Sequence, residues 1–255
     1  MQKKNKIVID VDLTITYPDI GELWWEHLVE YYSDCQTMEQ YYQFCNDYKN
    51  GVAEYDLTKY FTFPDGMDRL GFFKQDDLYS NMGIAPNSYN VIRNMYEAGF
   101  DIYFVSYCQS EHQQSKEDYL RRHFDFLQGD DFHFVSTKSK GCMDGNAFAI
   151  IEDRLDFLAQ FKEGALKILI DTPYKQDCIA EVDYVKCKDW LEVEEQFIKY
   201  LEGDIMKVKI LTGLYEGMTG ESGKVDTSEG YPWLEVILDL NKDSVWVGLD
   251  QVEEV

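Results

Sequence analysis

Two carboxylates and a hydroxyl close the first apolar run of this sequence, Ile7-Val8-Ile9-Asp10-Val11-Asp12-Leu13-Thr14. A β-branched run bounded by polar residues reads as a buried strand, and a carboxylate at the end of such a strand is costly unless something binds it. Side chains alternate along a strand, so Asp10 and Asp12 are expected to leave the sheet on one side, with Val11 packed on the other. That arrangement aims two acids at a single ligand.

Other polar groups fall at the ends of later apolar runs. Ser106 closes the run from Ile102 to Val105, and the pair Glu152-Asp153 closes the run from Ala147 to Ile151. Lys138 and Lys140 lie between the runs at 132–135 and 147–151. A serine hydroxyl donates to an anion, and a lysine offsets negative charge that builds up on it. Four acids brought to one point repel strongly unless a divalent cation sits among them, and oxygen-only ligation suits Mg²⁺.

The elements that would position these groups alternate. From Pro86 onward the spacing predicts a helix carrying Val91, Ile92 and Met95 and stopped at Gly99, then a strand over 101–106. A helix over about 115–124 follows, then strands at 132–135, 147–151 and 166–171, with a helix face of Leu155, Leu158 and Ala159 between the last two. A further helix starts near Asp189, with Glu192 three residues on. This alternation predicts an α/β class: a Rossmann-like parallel sheet with helices on both faces, whose ligands sit beyond the carboxyl ends of the strands.

Between the first strand and this repeat lies a stretch, about 17–83, rich in Trp, Tyr and Phe. Residues 21–32 read as an amphipathic helix, and Thr37 with Gln40 forms a capping box for a second. Residues 56–61 read as a short third helix and 63–78 as loop, so this stretch is a helical cap inserted after the first strand. Trp24, Trp25, Tyr41, Tyr42 and Phe44 offer aromatic surface to a substrate ring, but most of such a stripe is expected to be packed interior. At most one or two of these rings should face the site. His112 follows Ser106 in a loop from which a reach to substrate is an expectation to check.

At the other end, Gly203-Asp204 breaks the pattern. Short alternating strands from Lys207, Trp233 and Ser244, separated by Gly213, Gly217, Gly220 and Gly223, read as a small C-terminal β-barrel. The expected domains are 1–203 and 204–255.

Composition narrows the function classes. Forty-eight acids against 24 bases give a formal charge of −24, which repels a polyanion and disfavours a long nucleic-acid partner. Six scattered cysteines, without a Cys-x-x-Cys pair, argue against a zinc site or a disulfide framework. No apolar run reaches the roughly 18 residues of a membrane span, and the expected location is cytoplasmic.

The order Asp10-x-Asp12-x-Thr14 after a hydrophobic strand resembles the first motif of the haloacid dehalogenase-like (HAD) phosphohydrolases. Ser106, a lysine at 138 or 140, and Glu152-Asp153 are similar to the later motifs, the serine and the acidic pair at expected strand ends and the lysine between two strands, and the resemblance covers about residues 5 to 200. Within the superfamily the chain looks most like the 5'(3')-deoxyribonucleotidases, which also carry a cap after the first strand. Lys116-Glu117-Asp118-Tyr119 is similar to their Lys-x-x-aromatic segment, and Glu152 to Asp156 to their Asp-Asp-Arg-Pro-Asp. Leu13 departs from their glycine, and Glu152 from their first aspartate. The C-terminal segment is similar to SH3-like or KOW barrels.

The resemblance implies a Mg²⁺-dependent phosphomonoesterase with an aspartyl-phosphate intermediate, acting on (deoxy)nucleoside monophosphates. It implies Asp10 as nucleophile, Asp12 as acid and base, and Thr14, Ser106 and Lys140 on the phosphate, Lys140 fitting the nucleotidase spacing better than Lys138. Mg²⁺ would be held by Asp10, the Asp12 carbonyl, Asp153 and Glu152. Two other readings stay open: a phosphatase for another small ester such as a phosphosugar, or an interaction protein. In the latter the C-terminal barrel would bind a partner or a second copy.

Overall fold

Ile7, Val8 and Ile9 of strand β1 (Lys6–Ile9) are buried almost without remainder, because β1 lies in the middle of a parallel sheet covered on both faces. The structure is a computed structural model, and it describes residues 6–17, 19–75, 77–108, 112–162, 164–176, 181–202, 207–226, 233–248 and 251–254. The chain forms two compact units, Met1–Val193 and Glu194–Val255.

In the first unit, β1 is followed by β2 (Thr16–Tyr17), helix α1 (Ile20–Tyr32) and helix α2 (Met38–Lys49). α2 starts at the expected capping box: Gln40 N–H donates to Thr37 Oγ1 (3.2 Å), and Thr37 N–H donates back to Gln40 Oε1 (2.9 Å). The third cap helix is a 3₁₀ turn, Leu57–Tyr60, and another such turn, Gly71–Lys74, interrupts the expected loop. β3 (Gly83–Ile84) then pairs antiparallel with β2, joining the two ends of the cap. Sequence reading missed this neck, since two-residue strands carry no period.

The repeat then runs α3 (Ser88–Glu97), β4 (Asp101–Ser106), α4 (Gln113–His123), β5 (His133–Ser136), β6 (Ala147–Glu152), α5 (Leu155–Leu158), β7 (Leu166–Ile170), β8 (Val185–Cys187) and α6 (Trp190–Glu202). The sheet order is β5-β4-β1-β6-β7-β8, and every neighbouring pair is parallel. β8, a three-residue edge strand, adds a sixth member to the five expected. Val8, Val105, Ile150 and Leu169 share one face with Leu158 of α5 and with Phe161. On the other face Phe104 meets Phe124, ring centres 5.0 Å apart, at the end of α4. The strand order changes direction at β1, with β4 and β5 on one side and β6 to β8 on the other, so a ligand crevice is expected beyond its carboxyl end.

The second unit carries β9 (Lys207–Ile210), β10 (Thr219–Asp226), β11 (Trp233–Leu238), β12 (Ser244–Gly248) and β13 (Val252–Glu254). They form one antiparallel sheet, β12-β11-β10-β9-β13, a small barrel-like domain around Val208, Ile210, Leu234, Val236 and Val247. Gly220 is required there: a Cβ would stand 2.5 Å from the Ile237 carbonyl oxygen of the paired strand. The expected break at Gly203-Asp204 lies outside the described residues, and the division into units falls within α6, ten residues earlier (204 − 194 = 10).

Candidate active site

Asp10 follows β1 and is buried, with its backbone N–H donating to Ile151 O of β6 (2.9 Å), so its position is fixed by the sheet itself. Its carboxylate is paired with the Lys140 ammonium, which also pairs with Glu152 at the end of β6. Asp153 completes the group: one carboxylate oxygen from each of Asp10, Glu152 and Asp153 lies within 4.8 Å of the others. Lys138 is exposed instead, its ammonium 4.2 Å from the Tyr107 ring centre.

Asp12 leaves the strand end on the same side as Asp10, and Val11 between them is fully buried. Its two oxygens are taken by different elements. Lys116 Nζ of α4 donates to Oδ2 (2.6 Å) and also to Ser106 Oγ (3.0 Å), while the Tyr79 hydroxyl donates to Oδ1 (2.8 Å). Lys116 is 1% exposed, so a second buried ammonium serves this site. Leu13 adopts φ 62°, a left-handed conformation that costs a branched side chain about 1–2 kcal/mol. Glycine would take it freely, which gives a physical reason for the glycine of the related motif.

These groups surround a cleft of about 270 Å³. Asp10, Asp12, Ser106, Lys140 and Asp153 supply its polar side; Trp24, Tyr55, Phe73, Tyr107 and Phe157 supply aromatic walls. Of the five cap aromatics singled out in the sequence, only Trp24 lines it. Trp25 stacks on Phe44 inside the cap (3.5 Å between ring centres), Tyr41 is marginally exposed and Tyr42 well exposed. Thr14 is buried, but its hydroxyl has no partner among the described residues and Thr14 is absent from the cleft lining; its carbonyl accepts from Trp190 Nε1 (3.0 Å). His112 is likewise buried and outside the lining.

Tyr55 had no signal in the sequence. Its hydroxyl donates to the Asp153 carboxylate (3.0 Å) and lies 2.8 Å from the Asp153 carbonyl oxygen, on which Gln176 also converges (2.8 Å). A bridge between Ala53 and Tyr174 fixes this part of the cap on the loop after β7. Tyr174 in turn reaches under α1, where a Cβ on Gly21 would stand 2.0 Å from its hydroxyl. Arg154 lies over the Tyr55 and Phe157 rings and pairs with Asp156 (2.8 Å) at the cleft edge.

Burial dominates the electrostatics. It raises Asp10 above the usual carboxyl range in spite of Lys140, and raises Glu152 well above it. Asp153 is pushed up to about 8 by burial, with the Asp10 charge adding to the shift. Burial alone would lower Lys140, but Asp10 and Glu152 more than reverse this. Three buried carboxylates against Lys140 leave a formal −2 (−3 + 1 = −2), and Glu152 Oε2 is buried without a hydrogen-bond partner among the described residues. Such a donor set, oxygen only and short of positive charge, fits a hard divalent cation.

The sequence model of one family, described as 5' nucleotidase, deoxy (pyrimidine), cytosolic type C protein, matches residues 7–201. The chain belongs to this nucleotidase family. The nucleotidase match takes in β1, the cap, all six parallel strands and nearly all of α6, and leaves β9 to β13 outside. The chain is thus a HAD-type phosphatase of the nucleotidase branch. Among solved structures it is similar to a protein described as the HAD-hydrolase YfnB from Bacillus subtilis bound to magnesium. Identity is 17%, coverage is 76% of this chain and 99% of that one, and the TM-score is 0.50, which shows the fold. It is also similar to a protein described as a phosphoglycolate phosphatase from Haemophilus somnus, at 14% identity, with 77% and 99% covered and a TM-score of 0.49. Among curated proteins none matches significantly. No described helix is long and apolar enough to cross a membrane.

Proposed function

We propose that this nucleotidase-family phosphatase hydrolyses (deoxy)nucleoside monophosphates through an aspartyl-phosphate on Asp10, with Mg²⁺ as cofactor. The observation that carries this reading is the position of Asp10: buried at the strand-order switch point, on Lys140, beside Glu152 and Asp153, with Asp12 on the same side. Asp10 attacks phosphorus while the bond to the leaving oxygen breaks, and Asp12 gives that oxygen its proton. Asp12 then takes a proton from the water that attacks phosphorus, and the bond to Asp10 breaks. Ser106 and Lys140 meet phosphate oxygens, Lys140 also holding Asp10 against the charge of its neighbours, while Lys116 stays on Asp12 and Ser106. Asp10, Glu152, Asp153 and the Asp12 carbonyl would hold the cation, which supplies charge neutralisation at the transferring group.

The cleft's aromatic walls offer a base a surface to stack on, which supports a nucleotide over a bare sugar phosphate. Phosphate release with Mg²⁺ from nucleoside monophosphates, sugar phosphates and 3'-phosphorylated oligonucleotides tests this; turnover of sugar phosphates alone sinks the nucleotide assignment. The net charge of −24 argues against the oligonucleotides. A cytoplasmic location is in keeping with the cytosolic family.

Cation binding has its own pH signature. A carboxyl whose folded pKa is raised binds its proton more tightly folded than unfolded, so its contribution to stability is present at low pH and is lost as pH rises. For Asp153 the window runs from the ordinary 3.8 to about 8. Cation-free protein is therefore expected to melt lower at about pH 8 than at about pH 5, and Mg²⁺ should raise the melting temperature more at the higher pH. Equal Mg²⁺ shifts at both would remove the assignment of these acids to the metal.

The barrel-like unit supports a second, additional role, because it lies outside the family match and leaves Trp246 of β12 about half exposed. Contact with a protein partner or a second copy through this unit is the reading it favours. A chain cut after Gly203 that stays soluble with full turnover is the expected result; lost turnover would make the unit part of the enzyme.

A further inference from the structure

Tyr79 lies in the last stretch of the cap, before β3, where the sequence gives no pattern, yet its ring is 2% exposed and its hydroxyl donates to Asp12 Oδ1 (2.8 Å). Lys116, which engages the other oxygen of Asp12, lies 5.1 Å from the centre of the same ring. The Asp12 side chain itself is 30% exposed at the cleft. The terminal torsion of an aspartate is broad, so a carboxylate with one partner would sample several orientations.

Helix α4 fixes where Tyr79 stands. Lys116, Tyr119, Arg122 and His123 follow one another at helical spacing along one side of it. The Tyr119 hydroxyl donates to the Gly83 carbonyl (2.8 Å), Arg122 Nη2 to the Tyr79 carbonyl (2.9 Å), and His123 Nε2 lies 2.9 Å from the Met82 carbonyl oxygen. Five residues are thus held at three carbonyls by the helix that also delivers Lys116. Gly83 is in turn paired with Tyr17 of β2, a few residues beyond Asp12.

We propose that Tyr79, clamped by Tyr119, Arg122 and His123, is a positioning residue that with Lys116 holds the Asp12 carboxyl toward the leaving-group oxygen. This rests on the phosphomonoesterase reading above. Proton transfer requires heavy atoms within about 2.6–3.2 Å, so a loosened Asp12 fails most where the leaving group cannot depart unprotonated. An alkoxide needs that proton; p-nitrophenolate does not.

The test compares kcat/KM for an alkyl phosphate and for p-nitrophenyl phosphate, a quantity that reports events only through departure of the leaving group. Tyr79→Phe, which keeps the buried ring, is expected to lower the alkyl value about tenfold or more beyond any loss on the aryl ester. Arg122→Ala, at an exposed side chain, should show the same selective fall at smaller size, and it decides the matter if Tyr79→Phe does not fold. Equal losses on both esters, or none, overturn the positioning role, since a merely structural residue would not discriminate leaving groups. Wild-type protein that hydrolyses neither ester overturns the phosphatase reading, and this inference with it.

Discussion

Asp10→Asn is expected to abolish phosphate release from p-nitrophenyl phosphate, by about 10⁴-fold or more, while the metal-free protein becomes no less stable. The first half follows from chemistry: an amide cannot attack phosphorus and leave again as a carboxylate does. The second follows from charge. Asp10 is one of three buried carboxylates grouped around the Lys140 ammonium, which pairs with Asp10 and Glu152, and burial holds each above its usual pKa. Removing one charge from that group cuts the formal imbalance from −2 to −1, and Lys140 keeps Glu152 as a partner. A site in which function is bought with stability behaves this way, so thermal melting should be unchanged or higher as turnover vanishes. Measured turnover near the wild-type rate would remove the nucleophile assignment; a collapsed melting temperature would remove the charge argument.

What the sequence made legible is what strand ends make legible. Asp10, Asp12, Ser106, Glu152 and Asp153 each terminate an apolar run, and the parallel sheet brings those ends to one side. Lys140 precedes its strand in a connecting segment, where spacing alone could not choose between it and Lys138. Tyr55, Tyr79 and Lys116 come from a cap turn, the irregular end of the cap and a helix, and reach their partners across 98, 67 and 104 residues. No local period announces such contacts. Lys116 was visible only through family resemblance, with no partner attached to it.

The fold shows the same division. Long apolar or amphipathic segments announced β4, β6, β7, α1 and α2, whereas β2, β3, β8 and β13 have two or three residues each and are fixed by pairing rather than by pattern. Yet the β2–β3 neck and the segment before it carry Tyr79 to Asp12. The parts that aim the acid are those with the least sequence signal, because their order comes from α4.

Lys140→Met and Lys138→Met, made side by side, should separate the two lysines that the sequence left paired. Lys140 is 2% exposed and is the cation shared by Asp10 and Glu152; taking it away leaves buried carboxylates facing one another without compensation. Breaking a buried ion pair from one side costs about 3–5 kcal/mol, and here two acids lose the same partner. Lys140→Met is therefore expected to lose turnover and to unfold at markedly lower denaturant, more so at about pH 8, where Asp153 also begins to ionise. Arginine should not rescue it, since a planar guanidinium does not fit where a compact ammonium bridges two carboxylates. Lys138 faces solvent above Tyr107, and its replacement should leave folding within about 0.5 kcal/mol and turnover near wild type. Mg²⁺ that restores the stability of Lys140→Met without restoring turnover would show that the lysine is needed for the reaction itself and not only to neutralise the acids around it.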